Sequence, residues 1–297
     1  DPTILLPNKH FDTVLYSGNA SSQTISIPEF TPDWVWIKKR SGGSNRSHQL
    51  YDQVRGATKL LHSDDSQGEQ TASNGLTSFG TKNFAVGSDD GINGSGGAYV
   101  GWNWNAGGST VTNTDGNISS QVRANTTAGF SIVGYSGNGS NGQTVGHGLG
   151  VAPDAIILKA RGASQNWRVW HKSLAADGSK RLLLDSTNAS EDASFLNDTA
   201  PTSTVFTLGN SDDAWNASGG TYITYLFSEV AGYSKFGSYT GNGSTDGTFV
   251  FTGFRPAFII TKRSDGTSPW RLFDNKRPDA NFQTYKLEAD SSGAELT

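Results

Sequence analysis

Pro32-Asp33-Trp34-Val35-Trp36-Ile37-Lys38 recurs as Pro153-Asp154-Ala155-Ile156-Ile157-Leu158-Lys159 and again as Pro256-Ala257-Phe258-Ile259-Ile260-Thr261-Lys262. Each copy is an apolar run that follows a proline and ends on a lysine six residues after it. Large apolar side chains stand at both parities of Trp34–Ile37. A strand with one wet face would alternate, so this pattern predicts strands covered on both sides, as in a sandwich.

The same threefold repetition extends outward from these runs. Leu15-Tyr16-Ser17-Gly18-Asn19 precedes the first copy, Gly134-Tyr135-Ser136-Gly137-Asn138-Gly139 the second and Ser238-Tyr239-Thr240-Gly241-Asn242-Gly243 the third. Downstream come His48-Gln49-Leu50-Tyr51-Asp52, Trp167-Arg168-Val169-Trp170-His171 and Trp270-Arg271-Leu272-Phe273-Asp274. A fourth phrase occurs twice, as Asp89-Asp90-Gly91-Ile92-Asn93 and Asp212-Asp213-Ala214-Trp215-Asn216, each running into a closing stretch, Ala98–Trp102 or Thr221–Tyr225. The three Tyr16 equivalents stand 119 and 104 residues apart, a domain-sized period and not that of a solenoid.

Aromatic and β-branched runs punctuated by Gly-Asn-Gly and Ser-Gly-Gly predict strands and turns, with one helical turn near Ser173–Ala176. The expected fold is all-β: tandem antiparallel β-sandwich repeats of jelly-roll kind, strung as a rod. The expected boundaries are a lead-in at 1–10, a first repeat at 11–108, a linker at 109–129, a second repeat at 130–235 and a truncated third at 236–297. The third lacks the Asp-Asp-x-x-Asn turn and closing strand, so further chain or another subunit is expected to complete it.

Composition narrows the functional classes. The chain has 297 residues, a net charge of −4, 37 glycines, and neither cysteine nor methionine. Zero cysteine excludes a disulfide scaffold, thiolate-bound zinc and a thiol nucleophile. Basic residues are scattered along the chain, which argues against nucleic-acid binding, and no apolar run has the length of a membrane-spanning helix.

The repeated phrases resemble a family of tandem-repeat proteins of marine bacteriophages, tail-fibre and other virion structural proteins. The matching wording is His10-Phe11-Asp12-Thr13-Val14-Leu15-Tyr16, Asp33–Lys38, Val54-Arg55-Gly56-Ala57, Val145-Gly146-His147-Gly148-Leu149-Gly150-Val151-Ala152-Pro153 and Thr252-Gly253-Phe254-Arg255-Pro256-Ala257-Phe258. In that family the region often follows a SPRY-like domain, and the resemblance implies that the lead-in is the end of such a join.

No catalytic constellation is legible. The five histidines form no His-x-x-x-His pair, and no Gly-x-Ser-x-Gly elbow occurs. His171 stands where the other copies carry Asp52 and Asp274, an exchange of chemistry that a catalytic residue would not survive. Asp89, Asp90, Asn93, Asp212, Asp213 and Asn216 are the candidate metal ligands, with calcium the ion that oxygen-rich loops suit. The competing reading, an Asx-turn that tightens a strand connection without any ion, is preferred. Trp215 is the candidate ligand-binding residue: it occupies a turn where the first copy has Ile92, and an exposed indole there could stack on a sugar. The other tryptophans lie in strand phrases and are expected in the core.

The expectation is a non-enzymatic virion component, a tail fibre or exposed appendage outside the cell, without a cofactor. Its expected partners are other virion proteins, a homo-oligomer such as a trimer, and host-surface polysaccharide, with no nucleic acid and no membrane insertion. A capsid-decorating protein and a secreted bacterial carbohydrate-binding module are the alternatives.

Overall fold

A computed structural model describes residues 2–278 and 284–297. The chain is all-β: among the described residues its helical pieces are one 3-10 turn, Pro7–Lys9, and one α turn, α1 (Asp90–Asn93). The first unit holds β1 (Phe11–Ser17), β2 (Gln23–Ser26), β3 (Trp34–Ser41), β4 (Gln49–Asp52), β5 (Lys59–Leu60), β6 (Gln70–Thr71), β7 (Leu76–Gly80), β8 (Asn83–Val86) and β9 (Ala98–Trp104). The second holds β10 (Val111–Asn113), β11 (Ser120–Asn125), β12 (Phe130–Ser136), β13 (Thr144–Gly146), β14 (Ala155–Ala160), β15 (Arg168–His171), β16 (Lys180–Leu183), β17 (Glu191–Asp192), β18 (Val205–Thr207) and β19 (Thr221–Phe227). The third holds β20 (Phe258–Thr261), β21 (Arg271–Asp274) and β22 (Leu287–Glu288).

The first two units share one antiparallel plan. The closing strand β9 lies between β1 and β3, and β19 lies between β12 and β14. Tyr16 therefore faces Tyr99 across the sheet with rings stacked at 5.2 Å, and Tyr135 faces Tyr222 at 5.0 Å. A small outer sheet, β2-β8-β7 or β13-β18, accompanies each inner sheet. Ile25, Leu76, Phe84 and Val86 meet Val35, Ile37 and Tyr51 in one outer core, and Val145 and Phe206 meet Val133, Ile156 and Leu158 in the other.

The opposite faces of the inner sheets meet one another. Trp34, Trp36, Trp102 and Trp104 of the first unit, Phe130, Ile132, Trp167 and Tyr225 of the second, and Trp270, Leu272 and Leu287 of the third form a single buried cluster. Trp34 stacks on Tyr225 at 4.2 Å, and Phe258 lies 5.6 Å from Trp102. Each such aromatic buries roughly 150–250 Å², about 4–6 kcal/mol at ~25 cal/mol per Å². The strand runs are apolar at both parities because one parity feeds the unit's own outer core and the other feeds the shared centre.

This arrangement replaces the expected rod: the units are not strung out as separate sandwiches. The segment expected as a linker, 109–129, carries β10 and β11, which extend the second inner sheet beside β12. Hydrogen bonding satisfies its Ser-, Thr- and Asn-rich backbone, which composition alone read as loop. Ser173–Ala176 makes a turn and no helix. Among the described residues the third unit has no outer sheet, and its Tyr239 phrase carries no strand.

Candidate functional site

The recurring polar residues converge on the junctions between units. Lys38 lies in β3, Lys159 in β14 and Lys262 one residue beyond β20, so the third lysine stands just outside the strand in which its counterparts lie. Their ammonium groups nevertheless behave alike. Lys38 Nζ donates to Lys39 O, Arg46 O and, across a junction, Ser292 O at 3.0 Å. Lys159 Nζ donates to Ala160 O, Gln165 O and, across the next, Ser66 O at 3.1 Å. Lys262 Nζ donates to Arg263 O and to Thr187 O at 3.2 Å. First reaches third, second reaches first, third reaches second: the ties close a ring.

A second set follows the same order. Trp167 Nε1 donates to His62 O and Trp270 Nε1 to Leu183 O, both at 2.7 Å. The first unit has His48 at this place. Its Nδ1 accepts from Trp36 Nε1, which puts the proton on Nε2, 3.0 Å from Glu288 O. Burial holds this imidazole well below its ordinary pKa, so it stays neutral and keeps that tautomer. Ion pairs add to two of the junctions: Arg161 with Glu69 at 2.8 Å, and Arg40 with Glu295 at 2.8 Å.

A third set is ionic. Asp52 pairs with Arg55, and Asp274 pairs with Arg277 at 2.6 Å, every one of these side chains being fully buried. Tyr225 Oη donates to Asp52 Oδ2 at 2.7 Å, and Trp102 Nε1 donates to Asp274 Oδ2 at 3.0 Å, so each carboxylate receives a closing-strand aromatic from the next unit. The second unit carries His171 and Leu174 instead. There Nδ1 of His171 accepts from Ser173 N at 3.0 Å, as Asp52 accepts from Val54 N.

Burial also perturbs the junction groups electrostatically. It depresses the Lys38 and Lys159 ammonium groups to about 8 and pushes the Asp33 and Asp185 carboxyls up to about 6. Lowered lysine pKa values can mark nucleophiles. Here the two ammonium groups have no exposed surface and each is held by three carbonyls, a geometry that ties units together. Asp185 and its counterparts Asp64 and Asp290 accept the backbone N–H groups of Trp167, His48 and Trp270.

The Asp-Asp-x-x-Asn turns are locks. Asp89 Oδ1 accepts from Gly91 N and caps α1, and Asp212 Oδ1 accepts from Ala214 N. Asn93 and Asn216 are fully buried. The Asn216 amide donates to Ser140 O and Gly209 O and accepts from Asn138 N; the Asn93 amide likewise bridges Ser21 O, Gly87 O and Asn19 N. Asp90 pairs with Lys39 and Arg46, and its hydrogen bond from Lys39 holds its carboxyl below the usual range. Asp213 is exposed and has Ala160 where the first unit has Lys39. The two copies share a turn and not a ligand set, and among the described residues no three His, Cys, Asp or Glu side chains cluster as metal ligands.

Trp215 corrects the expectation of an exposed ring. It is 5% exposed, donates to Asn210 O at 3.0 Å, and packs near Phe195 with the Arg168 and Arg181 guanidinium groups 5.8 and 5.6 Å from its ring. Ile92, its counterpart, is fully buried. The lock turns this position inward in both units, so the indole plugs the outer core. Beside each lock lies an open polar cleft: one of about 400 Å³ with Arg46, Gln49, His62 and Asp90, another of about 380 Å³ with Arg181, Asp192, Asn210 and Asp212.

Several of these residues leave a sequence signal. Asp64 and Asp185 each follow their lysine by 26 residues, and Asp290 follows its lysine by 28. Arg55 and Arg277 each follow an aspartate by three. The family model described as a domain of unknown function (DUF7483) matches residues 6–297. No curated protein and no solved structure matches the chain.

Proposed function

The chain belongs to the DUF7483 family, and from that premise we propose that it is a non-enzymatic structural protein of a bacteriophage particle, a tail fibre or an exposed appendage. The observation that carries this reading is the closed ring of ties: the lysines, indoles and histidine that recur from unit to unit are bonded to the backbone of the neighbouring unit. Side chains that an enzyme would present to a substrate here hold three units around one apolar centre. The likeness of the repeat wording to phage tail-fibre repeats supplies the particle. Adhesion to host-surface polysaccharide is the second part of the proposal. It rests on the open clefts, where Arg, Asp and Asn side chains can bond sugar hydroxyls, and not on stacking by Trp215.

Antibody labelling of purified particles, with mass spectrometry of their proteins, tests the first part. Label on the tail or an appendage supports it; absence of the chain from intact particles overturns it. Binding of host-envelope polysaccharide, weakened by Arg181→Ala, supports the second part, and a blank glycan array with folded protein removes it.

A further inference from the structure

In the first two units, four contacts seat the turn and closing strand against the rest of the sheet. The lock asparagine accepts from the backbone N–H of Asn19 or Asn138 and donates to Ser21 O or Ser140 O. Its own carbonyl accepts from Ala20 N or Gly139 N. The tyrosine that opens the closing strand stacks on Tyr16 or Tyr135. The strand then pairs along β3 or β14.

The third unit holds the receiving half of every one of these contacts. Its Gly-Asn-Gly loop has the same internal bond, Ser244 N donating to Asn242 Oδ1 at 3.0 Å as Ser140 N does to Asn138 Oδ1. Gly243 has φ 70° against 75° for Gly139 and 56° for Ala20, so the backbone is already in the left-handed turn that seating requires. Tyr239, in the place of Tyr16 and Tyr135, is 59% exposed. Phe249, which corresponds to the buried Ile25 and Val145, is 86% exposed, and Ile259 and Ile260 of β20 are both exposed. Among the described residues β20 pairs with β21 alone, where β3 and β14 each have strands on both sides.

We propose that the third unit is a receptor for one kind of occupant: an extended segment with the chemistry of Ser211–Phe227, supplied by β-strand addition between the Tyr239 phrase and β20. Its pattern is an Asp-x-x-Asn lock, then a tyrosine, then three large apolar residues at alternate positions. Both internal examples obey it, with Val100, Trp102 and Trp104 after Tyr99, and Ile223, Tyr225 and Phe227 after Tyr222. The lock asparagine bridges Asn242 N and Ser244 O, the tyrosine covers Tyr239, and the apolar row completes the shared centre. The cyclic order places the middle residue of that row against His171, since Tyr225 meets Asp52 and Trp102 meets Asp274. A second copy of the chain is not the occupant, because both of its closing strands are already seated.

The test uses the 297-residue chain and a synthetic peptide copying residues 209–228, with amide hydrogen exchange as the readout. The expected result is slowed exchange at Phe258–Thr261 and in the Asn242 loop. Peptide carrying Asn216→Ala and Tyr222→Ala is expected to bind at least about tenfold more weakly, as is parent peptide to chain carrying Tyr239→Ser, an exposed site whose change leaves folding intact. A fusion that appends the peptide through a flexible linker supplies the same segment at an effective concentration in the millimolar range. Absence of protection at β20 in both the free-peptide and the fusion arm overturns the proposal. So does protection of β20 that arises from self-association of the chain without peptide.

Discussion

Replacing Arg55 by leucine introduces the residue that the second unit carries at the same place, Leu174, and strands a carboxylate in the shared centre. Asp52 is fully buried, and after the change it keeps the Tyr225 hydroxyl and the backbone N–H groups of Val54 and of residue 55 but loses its cation. Breaking a buried pair from one side costs about 3–5 kcal/mol. Arg55 also donates to Leu50 O, which keeps its bond from Leu61 N, and to Lys59 O, whose lost bond adds about 1 kcal/mol. The expected loss for Arg55→Leu at pH 7 is therefore about 4–6 kcal/mol.

A compensating change at the partner identifies the cause. The double variant Asp52→His with Arg55→Leu copies the second unit's own solution and is expected to recover at least about 2 kcal/mol over the sum of the single changes. Urea unfolding followed by tryptophan fluorescence at pH 7 measures both. A loss below about 1 kcal/mol, or a double variant no more stable than the sum of the single changes, refutes the buried-charge reasoning.

Lys38 and Lys159 hold their protons only up to a pH of about 8 in the fold, against an ordinary 10.5, so unfolding takes up protons in that window. Stability is expected to rise with pH from about 8 to 10.5, and a Lys159→Met chain whose slope equals the parent's would count against it. Asp33 and Asp185 titrate at about 6 against an ordinary 3.8, so the folded state binds more protons than the unfolded between those values. Their contribution falls as pH rises from about 4 to 6; an unchanged slope in Asp185→Asn would contradict this. Asn216→Ala removes three buried hydrogen bonds and should lower stability by about 2–3 kcal/mol, while neither calcium nor a chelator moves the parent's melting temperature. A midpoint that climbs with millimolar calcium would reopen the metal reading. Trp215→Ala should cost about 3–5 kcal/mol in urea unfolding through the cavity it leaves, and a loss below about 1 kcal/mol would contradict its burial.

The all-β fold and the burial of the strand tryptophans were legible because they depend on local chemistry repeated in register. Trp34–Ile37 is apolar at both parities, and that alone demands two covers. What no local pattern supplied was the identity of the second cover. A sequence shows that Trp34 and Trp36 need a partner face, not that Tyr225 is that partner. The linker misreading at 109–129 has a related cause: Val111, Val122 and Ala124 are too sparse to mark strands, and the hydrogen bonds of β11 to β12 decide the matter. Trp215 misled because a turn was equated with exposure, whereas the Asp212 cap and the buried Asn216 curl that turn inward.

The ring itself follows from the same arithmetic of faces. An inner sheet apolar on both sides can use its own outer sheet for one side only. The remaining side must be covered by something equally apolar, and the nearest such surface is another unit's inner sheet. Two units alone would cover each other but leave the ammonium of Lys38, the imidazole of His48 and the indole of Trp102 without their partners across the junction, which all lie in the third. The substitutions within the ring point the same way. His48 replaces a tryptophan and Tyr225 replaces Trp102, yet each still reaches its neighbouring unit in the same cyclic direction. The side-chain chemistry varies from unit to unit while the bond to the neighbour is kept, which is the signature of an interface under geometric constraint and not of a site that must present one chemistry to a ligand.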